Sequence, residues 1–585
     1  MTRPDRRSVL KGVGALLAAP PVAGAAIRRT NAAEDAFAWG VASFDPTDDG
    51  VLLWTRVGGA PPRRRLRWEV AEDESMERVV ARGTVEATAE ADHCATVAVD
   101  GLAPQGIWWY RFETEDGKRS PVGRTRTLPR GPVDRVRLGV ASCSRFAAGA
   151  FGAYRALAER ELDLVVHLGD YIYEDGTAGA RPHDPPAPLR SLDDYRRRYA
   201  QHRLDPDLQA LHARHPMVAV WDDHELAGNA WRDGAAAHDD ARDGPWADRL
   251  AAATQAHEEW VPGRTHLGHD GRLEAWRSVA LGDLAELVAL DTRSHRDRQA
   301  ASAEELRAER AAADDGGPGR TLLGPDQARW VDDRLRRADR PPWVLLANQV
   351  MLHPLQVPVP TDSIAAQVQA VGFLVVDGVG VNPDQWDGYP AARNELLDAI
   401  GDGGGVVVLT GDVHSSWAWE GPAGADRSSA MVELVTPSIT STSLGGRLPV
   451  SPQLLETALR GLDPALSLVE LTRHGYLVVD LGPDELQAEW WYVDDLADAG
   501  SQRFGAALRA PRRPPMALTS APAPLPDPAA TTTSTTGPPS APSGSSGAGP
   551  PANDDGDGSP LPLVGGAAVG VAAVIGAAVA LRRRR

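Results

Sequence analysis

Six short apolar runs, each followed at once by residues able to hold an ion or a proton, constrain this chain more than any other feature. They fall at residues 136–140, 164–168, 218–221, 284–290, 343–347 and 406–409, with helical segments between them. Each has the length and largely apolar character of a strand buried on both faces. In order they end in Ser142-Cys143-Ser144, Gly169-Asp170, Asp222-Asp223-His224, Asp291-Thr292-Arg293, Asn348-Gln349 and Gly411-Asp412-Val413-His414. One acidic residue after a strand is usually a turn or a helix cap. Six such endings in one α/β region predict a crevice at the strand ends where side chains converge.

Residues 35–130 follow a different rule. Short stretches alternate apolar and polar, as in Val51-Leu52-Leu53-Trp54-Thr55-Arg56 and Ile107-Trp108-Trp109-Tyr110-Arg111-Phe112. Asp48-Asp49-Gly50 and Asp116-Gly117 punctuate them as turns. This spacing predicts a small all-β sandwich with no catalytic cluster of its own. The α/β catalytic domain is expected over residues 135–510. Residues 232–275 and 300–320 read as insertions over the site, and 355–390 as a segment that shapes its mouth.

Both ends read as addresses. Arg6-Arg7 ahead of a mild apolar run resembles a twin-arginine export signal over residues 1–33, with an ordinary secretory signal as the alternative. Residues 519–560 are Pro, Ser, Thr, Gly and Asp, the composition of a disordered linker. Residues 563–581 carry no charge and precede four arginines, which predicts a transmembrane segment with its C-terminus inside, or an apolar tail removed in processing. The body would then lie outside the cytoplasm on a membrane tether. The formal net charge of −19 argues against a broad nucleic-acid surface, so an anionic substrate needs a local positive centre. Two cysteines, Cys94 and Cys143, rule out a disulfide framework.

The chemistry of the strand ends points to metal. Asp170 and Tyr173 stand three apart after a glycine, so a carboxylate and a phenol can face one ion. Tyrosinate favours Fe3+, and a thiolate from Cys143 can complete that set. Cys143 as a nucleophile is the competing use. His414 follows Asp412 by two residues, and an aspartate can bridge a metal pair. Arg145 and Arg293 can meet phosphate oxygens with a bidentate fork, or form structural salt bridges. Ser142 and Ser144 have no adjacent base, so a phosphoserine intermediate is not expected.

The ordered series resembles the calcineurin-like metallophosphoesterases, and within them the PhoD-type alkaline phosphatases, over about residues 36–505. The segments that carry it are 39–46, 53–56, Ala141-Ser142-Cys143-Ser144-Arg145, Gly169-Asp170-Tyr171-Ile172-Tyr173-Glu174, Trp221-Asp222-Asp223-His224-Glu225, Leu290-Asp291-Thr292-Arg293, Asn348-Gln349, Gly411-Asp412-Val413-His414 and Thr436-Pro437-Ser438-Ile439-Thr440. The resemblance implies a four-layer β-sandwich core preceded by a small fibronectin-like or Ig-like sandwich. It implies that Cys143, Asp170, Tyr173 and His414 hold Fe3+. Asp170 would bridge to Ca2+, held further by Asp223 and Asp412 with Asn348 nearby. A second Ca2+ would use Asp222 and Asn229. Carboxylates where relatives keep nitrogen ligands favour Ca2+ over Zn2+. His224 matches a histidine that contacts phosphate and acts as general acid or electrostatic stabiliser, with metal ligation or a structural role as its alternatives. The implied activity is an exported alkaline phosphatase, monomeric, hydrolysing small phosphate mono- or diesters by attack of a metal-activated hydroxide. A phosphodiesterase or phospholipase D-like enzyme on lipids or wall polymers is the same-class alternative, and a non-catalytic surface binding protein the other.

Overall fold

The computed structural model describes residues 35–59, 61–269, 272–359, 361–421, 430–448, 451–497 and 501–528. The export signal read at 1–33 and the span read at 563–581 lie outside the described residues. Among the described residues, no helix is long and apolar enough to cross a membrane.

The six apolar runs are strands: β1 (Val136–Ala141), β2 (Leu164–Leu168), β3 (Met217–Val220), β4 (Ala285–Ala289), β5 (Trp343–Asn348) and β6 (Val406–Thr410). They divide between two sheets. In a ten-stranded sheet β1, β2 and β3 run parallel side by side. In a seven-stranded sheet β4, β5 and β6 do the same. Antiparallel strands extend each sheet outward, including His474–Leu481 and Glu485–Val493 beyond β1.

The sheets pack face to face, and alternation along each strand explains why both of its faces are largely apolar. Leu164, Val166 and Leu168 of β2 meet Leu345 and Ala347 of β5 and Val407 and Leu409 of β6 in one core between the sheets. Val165 points the other way, onto a layer formed by the helices Gly152–Ala158, Leu192–Arg203, Pro206–Arg214 and Trp246–Trp260. Val344, Leu346, Val406 and Val408 likewise face the helices Gly324–Arg336 and Pro390–Ile400. Helices, sheet, sheet and helices make four layers, with β1 to β6 buried on both faces.

Three features depart from the sequence reading. First, the N-terminal sandwich does not stand apart. Its strands Val41–Phe44, Gly50–Arg56 and Cys94–Asp100 are the far end of the ten-stranded sheet, joined to β3 at Phe44 and Met217. Only the sheet of Val79–Thr88, Arg63–Ala71, Ile107–Thr114 and Gly123–Arg126 is its own. Val41–Phe44 and Gly50–Arg56 are buried almost throughout, whereas Val79–Thr88 and Ile107–Thr114 alternate more and less buried positions. Second, within the stretch 232–275 the helix Trp246–Trp260 packs in the helix layer on the outer face of the first sheet, with Trp260 fully buried. Third, the segment read as a linker begins inside the fold. Thr519–Ser520 pairs with Gln502–Pro511, and Asp527 meets the buried Arg137 at 2.9 Å. Both cysteines are free and buried.

Candidate metal centre

The strand ends bring most of the predicted residues to one place. Donor atoms of Cys143, Asp170 and His414 lie within 4.8 Å of one another, as do those of Asp170, Asp223 and His224, and those of Asp222, Asp223 and Asp412. Asp170 belongs to the first two groups and Asp223 to the last two, so the clusters form one continuous site. The first sheet supplies Cys143, Asp170, Asp222, Asp223 and His224, while the second supplies Asp412 and His414. The site therefore straddles the sandwich.

The backbone there is strained. Cys143, Asp170, Asp412 and His414 sit at φ +62°, +55°, +57° and +56°. Non-glycine residues adopt this left-handed region at a cost, and such outliers cluster where side chains must be aimed. Gly169, at φ +92°, packs so tightly on Asp222 that a Cβ there would collide with it. The close approach joins the β2 and β3 loops. Glu225 ties the same loops by accepting the backbone N–H groups of Asp170 at 3.0 Å, Asp222 at 2.8 Å and Tyr171.

One side of the site is phenol, thiol and imidazole. Tyr173 Oη donates to Asp170 Oδ2 at 2.7 Å and lies 3.1 Å from His414 Nε2. His414 Nδ1 lies 3.0 Å from Thr442 O and 2.7 Å from Arg447 Nη2, so its Nε2 is the ring nitrogen turned toward the Tyr173 oxygen. Burial, with Arg447 beside the ring, holds His414 well below the usual imidazole range and therefore neutral. Burial and the Asp170 charge push the Cys143 thiol and the Tyr173 phenol well up. A nucleophilic cysteine needs exposure and a lowered pKa; Cys143, 1% exposed, has neither.

The other side is carboxylate. Burial pushes Asp412 up to about 6 against the pull of Arg293, with Asp384 and Asp223 adding to the rise. Asp222 Oδ2 and Asp223 Oδ1 are buried without a hydrogen-bond partner. Arg293 lies among these acids, fully buried. Its Nε holds Asp222, its Nη1 meets Asp384 at 2.8 Å, and its Nη2 meets Asp412 at 3.1 Å and Asp223 at 3.5 Å. The salt-bridge alternative is the observed one for Arg293; no face of it is open to a substrate.

Buried acids, a thiol and a phenol whose charged forms are all disfavoured by burial make an environment that a cation would relieve. The donor set fits metal ions on these grounds. Asn348 closes β5, but its Oδ1 accepts from Trp386 Nε1 at 3.2 Å, and its Nδ2 donates to Thr410 Oγ1 at 3.2 Å and to Val350 O. Asn229 reaches Asp223 Oδ2 through its backbone N–H. Asp222 Oδ1 is already gripped by Arg293.

His224 is partly open, its side chain 23% exposed, and packs on the Tyr173 ring with centroids 4.3 Å apart. Its Nδ1 donates to Glu174 Oε2 at 2.5 Å. Burial opposes its charge, but Glu174, Asp223 and Asp170 outweigh it and hold the imidazole pKa well above the usual range. Arg145 lies over the other chemistry: its guanidinium stacks 4.0 Å from the Tyr173 ring centroid and pairs with Asp175 at 2.7 Å.

Several residues of the site carry no sequence signal of their role. Glu174 and Glu225 end recognisable motifs that give them no role of their own. Asp384 and Gln385 come from the segment 355–390, beside Trp386-Asp387-Gly388-Tyr389; Gln385 Nε2 donates to Asp412 Oδ2 at 2.6 Å. Ser441 and Arg447 follow the Thr436-Pro437-Ser438 motif.

A two-sheet sandwich between helix layers, with acid, thiol, phenol and imidazole donors gathered at its strand ends, places the chain in the α/β class with a crevice whose groups could hold metal ions. The family model described as "PhoD-like phosphatase" matches residues 138–490, and "PhoD-like phosphatase, N-terminal domain" matches residues 23–129. Alkaline phosphatase D of Bacillus subtilis (strain 168) is 36% identical over 437 residues, covering 70% of each chain. A solved structure titled "Structure of PhoD" matches with a TM-score of 0.71 and 31% identity, over 84% of this chain and 92% of that one. The chain belongs to the PhoD-like phosphatase family and is a phosphoester hydrolase.

Proposed function

We propose that this chain is an exported alkaline phosphatase that hydrolyses small phosphate esters at a centre holding Fe3+ and Ca2+. The observation that carries the reading is the convergence of Cys143, Asp170, Tyr173 and His414, a thiol, a carboxylate, a phenol and a neutral imidazole in one buried pocket. Thiolate with tyrosinate suits Fe3+, and the carboxylates Asp223 and Asp412 suit Ca2+. The ions, when bound, supply positive charge for the phosphate oxygens and lower the cost of ionising a water. Asp170, shared by the donor groups, holds the two sides in register. His224, oriented by Glu174, is placed to steady or protonate the departing ester oxygen. Arg145, fixed by Asp175 and the Tyr173 ring, can offer its fork to the phosphate. Arg293 stays among the acids and balances their charge. Export is supported by the paired Arg6-Arg7 ahead of an apolar run.

Elemental analysis of the purified protein with rates on p-nitrophenyl phosphate tests this. Near-stoichiometric iron, and activity that needs Ca2+, are the expected result. Absence of iron with no activity after adding Ca2+ sinks the reading. A faster rate on bis-p-nitrophenyl phosphate would move the substrate class to diesters.

A further inference from the structure

The loop after Thr436-Pro437-Ser438 lies directly behind the phenol side of the centre. Thr440 Oγ1 donates to Arg145 O at 2.8 Å, and Thr442 O lies 3.0 Å from His414 Nδ1. Between them Ser441 Oγ lies 2.5 Å from Tyr173 Oη and 3.0 Å from Cys143 O. Three successive residues thus reach the backbone or the side chains of the residues at the centre. The loop is itself held: Ser441 O accepts from Ser438 Oγ at 2.7 Å and from His474 Nε2 at 3.0 Å, and Ile439 N donates to Ser142 O at 2.9 Å. Ser441 is fully buried.

A serine hydroxyl has one proton, and here two oxygens compete for it. While Tyr173 keeps its own proton, it donates to Asp170 and the two acceptors of Ser441 are both neutral. Once the phenol oxygen is a metal ligand it carries negative charge and no proton. A charge-assisted O–H···O bond is roughly twice as strong as a neutral one and is short, about 2.5–2.7 Å. The Ser441 proton then belongs to Tyr173. We propose that Ser441 is a positioning residue for Tyr173: its hydroxyl is the hydrogen-bond donor that aims the phenolate at iron and withdraws electron density from it. This rests on the reading of Tyr173 as an iron ligand. The consequence is electronic as well as geometric, because a phenolate that loses a donor gives charge to iron more readily.

Visible absorption of the holoenzyme at measured iron content is the test. The wild type shows a tyrosinate-to-iron charge-transfer band. Ser441→Ala moves that band to longer wavelength at equal iron, and Ser441→Thr, which keeps the hydroxyl, returns it. A Ser441→Ala band that does not move overturns the proposal. Should Ser441→Ala fail to fold or to load iron, resonance Raman of the wild type decides: the tyrosinate C–O vibration shifts in D2O if a proton is bonded to that oxygen, and no shift overturns the proposal. A wild type that holds iron but has no such band overturns Tyr173 as ligand, a failure distinguishable from the first.

Discussion

The two sides of the centre handle charge differently. Around Tyr173 and His414 positive charge lies beside the rings: the Arg145 guanidinium is 4.0 Å from the Tyr173 ring centroid, and Arg447 Nη2 is 2.7 Å from His414 Nδ1. Around Asp222, Asp223 and Asp412 the positive charge of Arg293 is set among the acids themselves, against their oxygens. The first arrangement flanks the donor groups, and the second pairs with them. Burial and the Asp170 charge push the Cys143 thiol and the Tyr173 phenol well up, so ionising them is costly until a metal cation is present.

The contrast can be broken experimentally. Cys143→Ala or Asp170→Ala removes a donor from the first side, and kcat/KM should fall roughly 10³-fold or more, with loss of iron by elemental analysis and an intact circular dichroism spectrum. Near-normal activity would refute the ligand roles. Removing Ca2+ with EGTA should lower activity roughly 10²-fold while iron remains, and adding Ca2+ back should restore it. Iron leaving together with calcium would mean that the two sides do not bind independently. Arg293→Met should act on stability, costing about 3–5 kcal/mol in denaturant unfolding because it strands buried acids. Arg293→Lys should recover part of that loss, since a lysine keeps the charge but not the three-way fork. Glu174→Gln should cost roughly 10–100-fold in kcat, the range seen when an orienting group behind an imidazole is lost. A change in KM alone would place Glu174 outside that role. Arg145→Lys should give the smallest effect, a KM raised roughly 10-fold with kcat nearly kept.

Much of this site was legible in the sequence because strands advertise themselves. A run buried on both faces is largely apolar, so β1 to β6 stand out, and the residue that follows a rigid strand has a predictable position. Cys143, Asp170, Asp223, Asp412 and His414 converge for that reason. Arg293 was legible as a strand-end residue but not as the hub of four acids, because its partners lie 71, 91 and 119 residues away for Asp222, Asp384 and Asp412. Ser441 and Gln385 act from irregular segments, where no period marks which way a side chain points. The N-terminal region misled differently. Local alternation announces a half-buried strand without saying which sheet it joins, so strands of the ten-stranded sheet read as part of a separate sandwich.

That shared sheet has a consequence for how the chain can be cut. The strand Val41–Phe44 lies along the flank of β3, and Asp45 N donates to Met217 O at 3.0 Å. Shortening the protein to begin at residue 130 would remove that neighbour, leave the Met217 carbonyl without its partner and bare one edge of an apolar strand, and edges of that kind recruit other chains. The same truncation would leave two residues after the end of β3 the acids that build the centre. Aggregation of the shortened chain, and not a quiet loss of one module, is what the strand order foretells.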